Sequence, residues 1–323
     1  MSDITERDIQ SNGLKMHIAE AGEGPLVVLC HGFPESWYSW RHQLRALSDA
    51  GYHVVAPDQR GYGGTDAPPN IDDYTIFHLV GDIVGLVNAL GESQAVVVGH
   101  DWGSPVAWNC AMLRPDVFRA VASLSVPIGP RGSTPPLVAI KELMGDRFFY
   151  QLYFQTPGVA EHELQNDIPK TMRKMLFGAS GSVNRNNMFE RAGDAPPDSA
   201  FMLERMPDPG DDLPDWLTQE DVDYYVSQFE KAGFRGGLNW YRNIDRNWVL
   251  SGSLQGMKIE QPAFFMTGTR DVVPYSENAK SAMLAVLSNL KDIVVLPDIG
   301  HWTQQEAPDA VNEGLIGFLN GLG

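Results

Sequence analysis

With 323 residues and 43% apolar composition, the chain is an ordinary globular one, long enough for one large domain or a core domain carrying an insertion. A net charge of −17, from 41 acidic against 24 basic residues, repels nucleic acid and anionic lipid and argues against both as partners. Two cysteines, Cys30 and Cys110, are too few for a disulfide framework and sit in apolar stretches as reduced core thiols.

The opening residues, Met1-Ser2-Asp3-Ile4-Thr5-Glu6, are polar and lack the basic-then-apolar layout of a signal peptide. No apolar run approaches bilayer-spanning length, so the expected location is the cytoplasm, with no membrane contact. The first predicted strand is Leu26-Val27-Val28-Leu29-Cys30, followed by a helix over 35–50. Val54-Val55-Ala56-Pro57 is the second strand, residues 76–91 the second helix, and Ala95-Val96-Val97-Val98-Gly99 the third strand. A helix begins near Ser104, with Pro105 tolerated in its first turn, and Val121-Ala122-Ser123-Leu124-Ser125 is the next strand. Short, continuous apolar runs of this kind suit strands buried on both faces of a parallel sheet.

Residues 129–255 break the rhythm. They lack comparable strand signals, hold half of the chain's 32 aromatic residues, and include a Pro/Asp-rich stretch, 195–215, that reads as loop. A helical insertion is expected there, forming a lid over the sheet's C-terminal edge, where open α/β sheets bind ligands. The alternation resumes with Ala263-Phe264-Phe265-Met266-Thr267, a helix around 275–289, the strand Ile293-Val294-Val295-Leu296 and a final helix near 307–320. The predicted class is therefore α/β, a mostly parallel sheet with helices on both faces. Its core is expected in two parts, 1–128 and 256–323, around a cap at 129–255. No internal repeat or low-complexity tract occurs.

Gly99-His100-Asp101-Trp102-Gly103 follows a strand and opens a helix, the setting of a nucleophile elbow with Asp in place of the usual Ser. The plain alternative is a helix N-cap, a position Asp also favours. Gly268-Thr269-Arg270-Asp271 and Gly300-His301-Trp302 each follow a later strand, bringing an acid and a histidine to the same sheet edge. Nucleophile, acid, histidine is the chain order of α/β-hydrolases. His100, beside the elbow, is expected to point away from Asp101 as a packed residue. His31-Gly32-Phe33-Pro34-Glu35 also follows a strand and can aim the Phe33 N–H at the elbow. With the Trp102 N–H, it would complete an oxyanion hole; the bland reading is a strand-to-helix turn.

Together these motifs, with His31 to Ser36 extended by Asp58-Gln59-Arg60-Gly61-Tyr62-Gly63, resemble those of soluble epoxide hydrolases. Within the insertion, Tyr150-Gln151 ahead of Leu152-Tyr153-Phe154-Gln155, and Asn239-Trp240-Tyr241-Arg242-Asn243, resemble that family's lid signatures. The resemblance covers nearly the whole chain and extends to the hydrolase half of the vertebrate enzymes; no phosphatase-like domain is expected ahead of it. It implies Asp101 as nucleophile, His301 as base, Asp271 as its partner, Tyr150 and Tyr241 as lid acids, and a cis bond before Pro34. Phe33, Pro34, Trp102, Gln151 and Trp302 are the expected pocket residues. Without the resemblance, Tyr150 and Tyr241 would read as core aromatics.

The residue types suit the chemistry. A carboxylate, with a reference pKa of about 3.9, is already anionic at neutral pH and needs no base before attacking carbon. That leaves His301 to activate water against the resulting ester, while phenols, with a pKa of about 10, protonate the opened oxygen. No metal or organic cofactor is required. The expected partners are a small apolar epoxide and water, with a homodimer left open. Competing readings are a haloalkane or haloacid dehalogenase, which shares the Asp-His-acid machinery, and a non-catalytic binder on the same fold. A serine esterase is excluded by Asp101 at the elbow.

Overall fold

A computed structural model of the chain describes residues 3–183, 201–210 and 212–323. Its strands are β1 (Thr5–Ser11), β2 (Leu14–Ala21), β3 (Leu26–Cys30), β4 (His53–Pro57), β5 (Ala95–His100), β6 (Phe118–Leu124), β7 (Ile259–Gly268) and β8 (Leu287–Leu296). They form one sheet in the order β1-β2-β4-β3-β5-β6-β7-β8. β2 pairs antiparallel with β1 and β4; the pairs from β4 to β8 are parallel.

Alternate side chains explain why the strand signals were continuous rather than alternating. Val96 and Val98 of β5 pack on one face with α1 (Arg41–Asp49) and α13 (Pro308–Asn320), through Leu44, Leu47, Val311 and Leu315. Val97 packs on the other with α2 (Ile76–Ala89) and α3 (Gly103–Leu113), through Leu86, Val106 and Ala107. Each such fully buried valine contributes about 1.5 kcal/mol or more relative to exposure.

The strand order reverses direction between β3 and β5. Chain leaving β3 moves outward to β4, whereas chain leaving β5 moves the other way to β6. A crevice opens at such a switch point above the C-terminal ends of the strands. Between β6 and β7 the described elements are all helical: α4 (Pro136–Met144), α5 (Tyr150–Tyr153), α6 (Val159–Asn166), α7 (Ile168–Gly178), α8 (Gln219–Ala232), α9 (Arg235–Arg242) and α10 (Ile244–Leu250). α9 docks on the core at the 58–63 loop, where a Cβ on Gly236 would lie 2.2 Å from the Gly61 carbonyl oxygen. The Trp240 indole N–H donates to the Arg60 carbonyl oxygen at 3.2 Å.

Some sequence expectations need correction. The β1–β2 hairpin carried no predicted strands, although its turn is Asn12-Gly13 with φ of +50° and +77°, the favoured two-residue hairpin dipeptide. The helix expected over 275–289 ends earlier, as α11 (Glu277–Val286), because Leu287 and Asn289 pair with β7 and start β8. Pairing on a neighbouring strand overrides local helix preference there. Residues 36–40, expected as helix, cap and form a 3-10 turn, Trp37–Trp40. Part of the expected loop over 195–215 lies outside the described residues; the remainder is irregular apart from a 3-10 turn, Leu203–Arg205. Among the described residues no helix is long and apolar enough to cross a membrane.

Candidate active site

Asp101 occupies the tight turn between β5 and α3 with φ of +49°, a left-handed conformation costing a non-glycine residue about 1–3 kcal/mol. The turn packs too closely for a larger neighbour: a Cβ on Gly103 would sit 1.9 Å from the Cys30 carbonyl oxygen. This geometry lifts the Asp101 carboxylate off the sheet edge.

Three loops converge on it. From the end of β3, the Phe33 N–H donates to Asp101 Oδ1 at 2.8 Å, and the Phe33–Pro34 peptide bond is cis. From beyond β8, His301 Nε2 lies 3.2 Å from Asp101 Oδ2. From beyond β7, Asp271 Oδ1 lies 2.8 Å from His301 Nδ1 and accepts the Val273 N–H at 2.8 Å. The sequence-predicted carboxylate, histidine and acid are thus contiguous.

Their electrostatics favour a charged trio. Burial pushes the Asp101 carboxyl up, but the hydrogen bond and charge of His301, with the Phe33 N–H, outweigh it and hold it below the ordinary range. Asp271 is lowered for the same reason, burial being overcome by the His301 charge and hydrogen bond and by the Val273 N–H. For His301, burial pulls down, yet the Asp271 charge and the bonds to both carboxylates drive it well above its usual value.

Tyr150 on α5 and Tyr241 on α9 line the same cavity as Asp101 and His301, a space of about 300 Å³. Their rings meet edge to face at 5.8 Å. Burial, followed by the Asp101 charge, pushes the Tyr150 phenol up to about 12 and Tyr241 well above its usual value, so both stay protonated at neutral pH. Tyr241 is wedged among Phe154 at 5.0 Å, Trp102 at 5.1 Å and Phe33 at 5.5 Å, ring centre to ring centre.

Of the other expected pocket residues, Phe33, Pro34 and Trp302 line the cavity. Gln151 and Trp102 do not: the Gln151 amide donates to the Tyr150 hydroxyl at 3.1 Å, and the Trp102 ring packs edge to face on Tyr241 at 5.1 Å. The Trp102 N–H opens α3 beside Asp101. Sequence reasoning did not find Phe148, Phe149, Phe154, Met175, Met202 and Met206, which make the wall apolar, nor Arg205 among them. An aromatic-rich insertion hinted at the first three; the methionines carried no distinguishing signal.

Behind the site lies a buried network the motifs also hid. His100 points away from Asp101, as expected, with Nδ1 2.8 Å from Glu35 Oε2 and Nε2 2.7 Å from the His301 carbonyl oxygen. Glu35 Oε2 also accepts the Gly32 N–H at 2.7 Å, so the Phe33 loop and the His301 loop share one support. Arg60 makes a bidentate pair with Asp82 on α2, at 2.6 and 2.7 Å, beneath the α9 docking loop.

Comparison with known proteins identifies the family. A family model of the alpha/beta hydrolase fold matches residues 25–308. The chain is 46% identical over 321 residues to epoxide hydrolase A of Mycobacterium tuberculosis (strain ATCC 25618 / H37Rv), covering 98% of each. It is 42% identical over 308 residues to bifunctional epoxide hydrolase 2 of Sus scrofa, covering 95% of this chain and 53% of that protein. The crystal structure of epoxide hydrolase A from Mycobacterium thermoresistibile superposes with a TM-score of 0.91 at 48% identity, covering 99% of both chains. An epoxide hydrolase from an endophytic Streptomyces gives 0.93 at 44% identity, covering 99% of this chain and 96% of that one.

Proposed function

The chain belongs to the epoxide hydrolases of the α/β-hydrolase fold, and from that premise we propose a mechanism in which Asp101 forms a covalent ester with the epoxide. The observation that carries it is the position of Asp101: one oxygen on the Phe33 N–H, the other beside His301, in an apolar cavity also lined by two phenols.

In the first step Asp101 Oδ2 attacks an epoxide carbon, and the carbon–oxygen bond opposite it breaks. Tyr150 and Tyr241 hydrogen-bond the departing oxygen, and one of them gives it a proton. A phenol with a pKa of about 12 stays protonated in the resting site, yet remains more acidic than the alcohol it creates. The imidazolium of His301 returns a proton to the phenolate, leaving a neutral imidazole.

Esterification also removes the Asp101 charge that helps raise His301, so the ring is better able to remain neutral. His301 then takes a proton from water as the water attacks the Asp101 carbonyl carbon. Negative charge develops on Oδ1, where the Phe33 N–H and the adjacent Trp102 N–H receive it. Asp271 orients and stabilises the imidazolium. The vicinal diol leaves carrying one former Asp101 oxygen and the second water proton. Asp101 and His301 return to their starting charges, so the proton count closes. The residues between β6 and β7 act as a cap that supplies the two phenols and excludes bulk water.

The apolar wall suits aryl or alkyl epoxides. Incubation with styrene oxide should yield the diol, whereas a 1-haloalkane of similar size should release no halide. Halide release without diol formation would favour the dehalogenase reading, and neither reaction the non-catalytic one.

A further inference from the structure

The Glu306 carboxylate has no part in these steps, yet it sits where the helical insertion meets the histidine loop. Its Oε2 accepts the Gly181 N–H at 2.8 Å, the Gly300 N–H at 3.1 Å and the Ser180 hydroxyl at 3.3 Å. Its Oε1 accepts the Trp302 N–H at 3.1 Å. Donors 300 and 302 bracket His301, while donors 180 and 181 belong to the chain just beyond α7. The same junction is stitched by the His301 N–H to the Ala179 carbonyl oxygen at 2.9 Å and the Trp302 indole N–H to the Leu176 carbonyl oxygen at 2.6 Å. Arg270, beside Asp271, reaches the Gly181 carbonyl oxygen at 2.8 Å.

Helix capping explains only part of this. Glu306 ends the four-residue α12 (Thr303–Glu306), and the Trp302 N–H is the donor at that helix's start. The bonds to Ser180 and Gly181 cross instead to a segment 126 and 125 residues earlier in the chain. Burial raises the Glu306 carboxyl above its usual value against the pull of its backbone donors, so the group is held at a desolvation cost.

We propose that Glu306 is a positioning residue for ester hydrolysis. It fixes the backbone on both sides of His301 against the segment beyond α7, and so holds Nε2 beside the Asp101 ester when the cap is seated. The proposal rests on the assignment of His301 as the base of the second step. Attack by Asp101 needs no base, and Glu306 bonds neither phenol nor the Phe33 loop. Its loss should therefore slow hydrolysis and spare ester formation. A displacement of about 1 Å in a reacting group can cost about 100-fold in rate.

Rapid-quench mass spectrometry with excess styrene oxide measures the two steps separately. Glu306→Ala should form the ester within about threefold of the wild-type rate and hydrolyse it about 100-fold more slowly. In Glu306→Gln the side-chain carbonyl can keep the Oε2 donors and lose only the Trp302 N–H, so hydrolysis should slow about tenfold or less. His301→Gln is the reference. If it accumulates ester while Glu306→Ala hydrolyses at the wild-type rate, or loses both steps in proportion, the positioning role is overturned and the base assignment stands. If His301→Gln accumulates no ester, both fall. Should Glu306→Ala not fold, Glu306→Asp is read in the same way, since its shorter arm cannot span Gly181 and Trp302 together.

Discussion

The Phe33 N–H sits 2.8 Å from Oδ1 of Asp101, which makes the two oxygens of that carboxylate inequivalent in the folded chain. In the proposed mechanism Oδ1 becomes the ester carbonyl oxygen, and Oδ2, facing His301, forms the bond to carbon. In a single turnover in ¹⁸O-water the diol should be unlabelled and the label should enter Asp101. Labelled diol in the first turnover would mean that water attacks the epoxide directly.

Asp101→Ala should keep the fold and lose turnover, because the side chain faces the cavity rather than the packed core and no second carboxylate can take its place at the elbow. Diol formation above one per cent of wild type by a folded variant removes Asp101 as nucleophile. Relief of the left-handed strain is not expected, since alanine tolerates φ of +49° no better than aspartate.

His301→Gln should alkylate and then stall. Intact-protein mass spectrometry with excess substrate should show an adduct equal to protein plus one substrate, carried on the peptide containing Asp101. The absence of any adduct, together with labelled first-turnover diol, would falsify the covalent route.

Tyr150→Phe and Tyr241→Phe should each slow ring opening by about tenfold or more, and the double variant by about 1000-fold, because each removes a donor to the forming alkoxide. Stopped-flow measurement of ester formation reads this directly. Wild-type ring opening in the double variant rejects the assignment; halide release that survives it would favour dehalogenase chemistry.

The His301 imidazole is raised by Asp271 first and by Asp101 as well, so removing the Asp101 charge must lower it. In Asp101→Asn, which imitates the uncharged ester, His301 should titrate at lower pH than in wild type by nitrogen NMR. The acid limb of ester hydrolysis should accordingly lie below the pH at which His301 titrates in the free enzyme. An unchanged or raised value in the variant contradicts the proposed coupling.

Most of the candidate site was legible because its members stand in short motifs immediately after strands, where sequence order fixes position. Asp101, Asp271 and His301 arrive at one edge for that reason. The supports were not legible: Glu35 meets His100 across 65 residues, and Glu306 meets Gly181 across 125. No local pattern encodes such pairings. The Asn12-Gly13 hairpin was visible in principle, but β1 is too charged to read as a strand beside its apolar successors. Gln151 shows the converse limit, a motif residue whose amide serves Tyr150 rather than lining the cavity.

The insertion between β6 and β7 also divides the working parts in time. A ribosome makes Phe33 and Asp101 first, the two phenols next, and Asp271 and His301 last. In the proposed mechanism, the residue that attacks is therefore made before the residue that releases the product. Folding the N-terminal strands without their final partners would leave β6 an open edge and the elbow without its histidine support. The order of synthesis thus favours a site that becomes competent only once the whole sheet has closed over it.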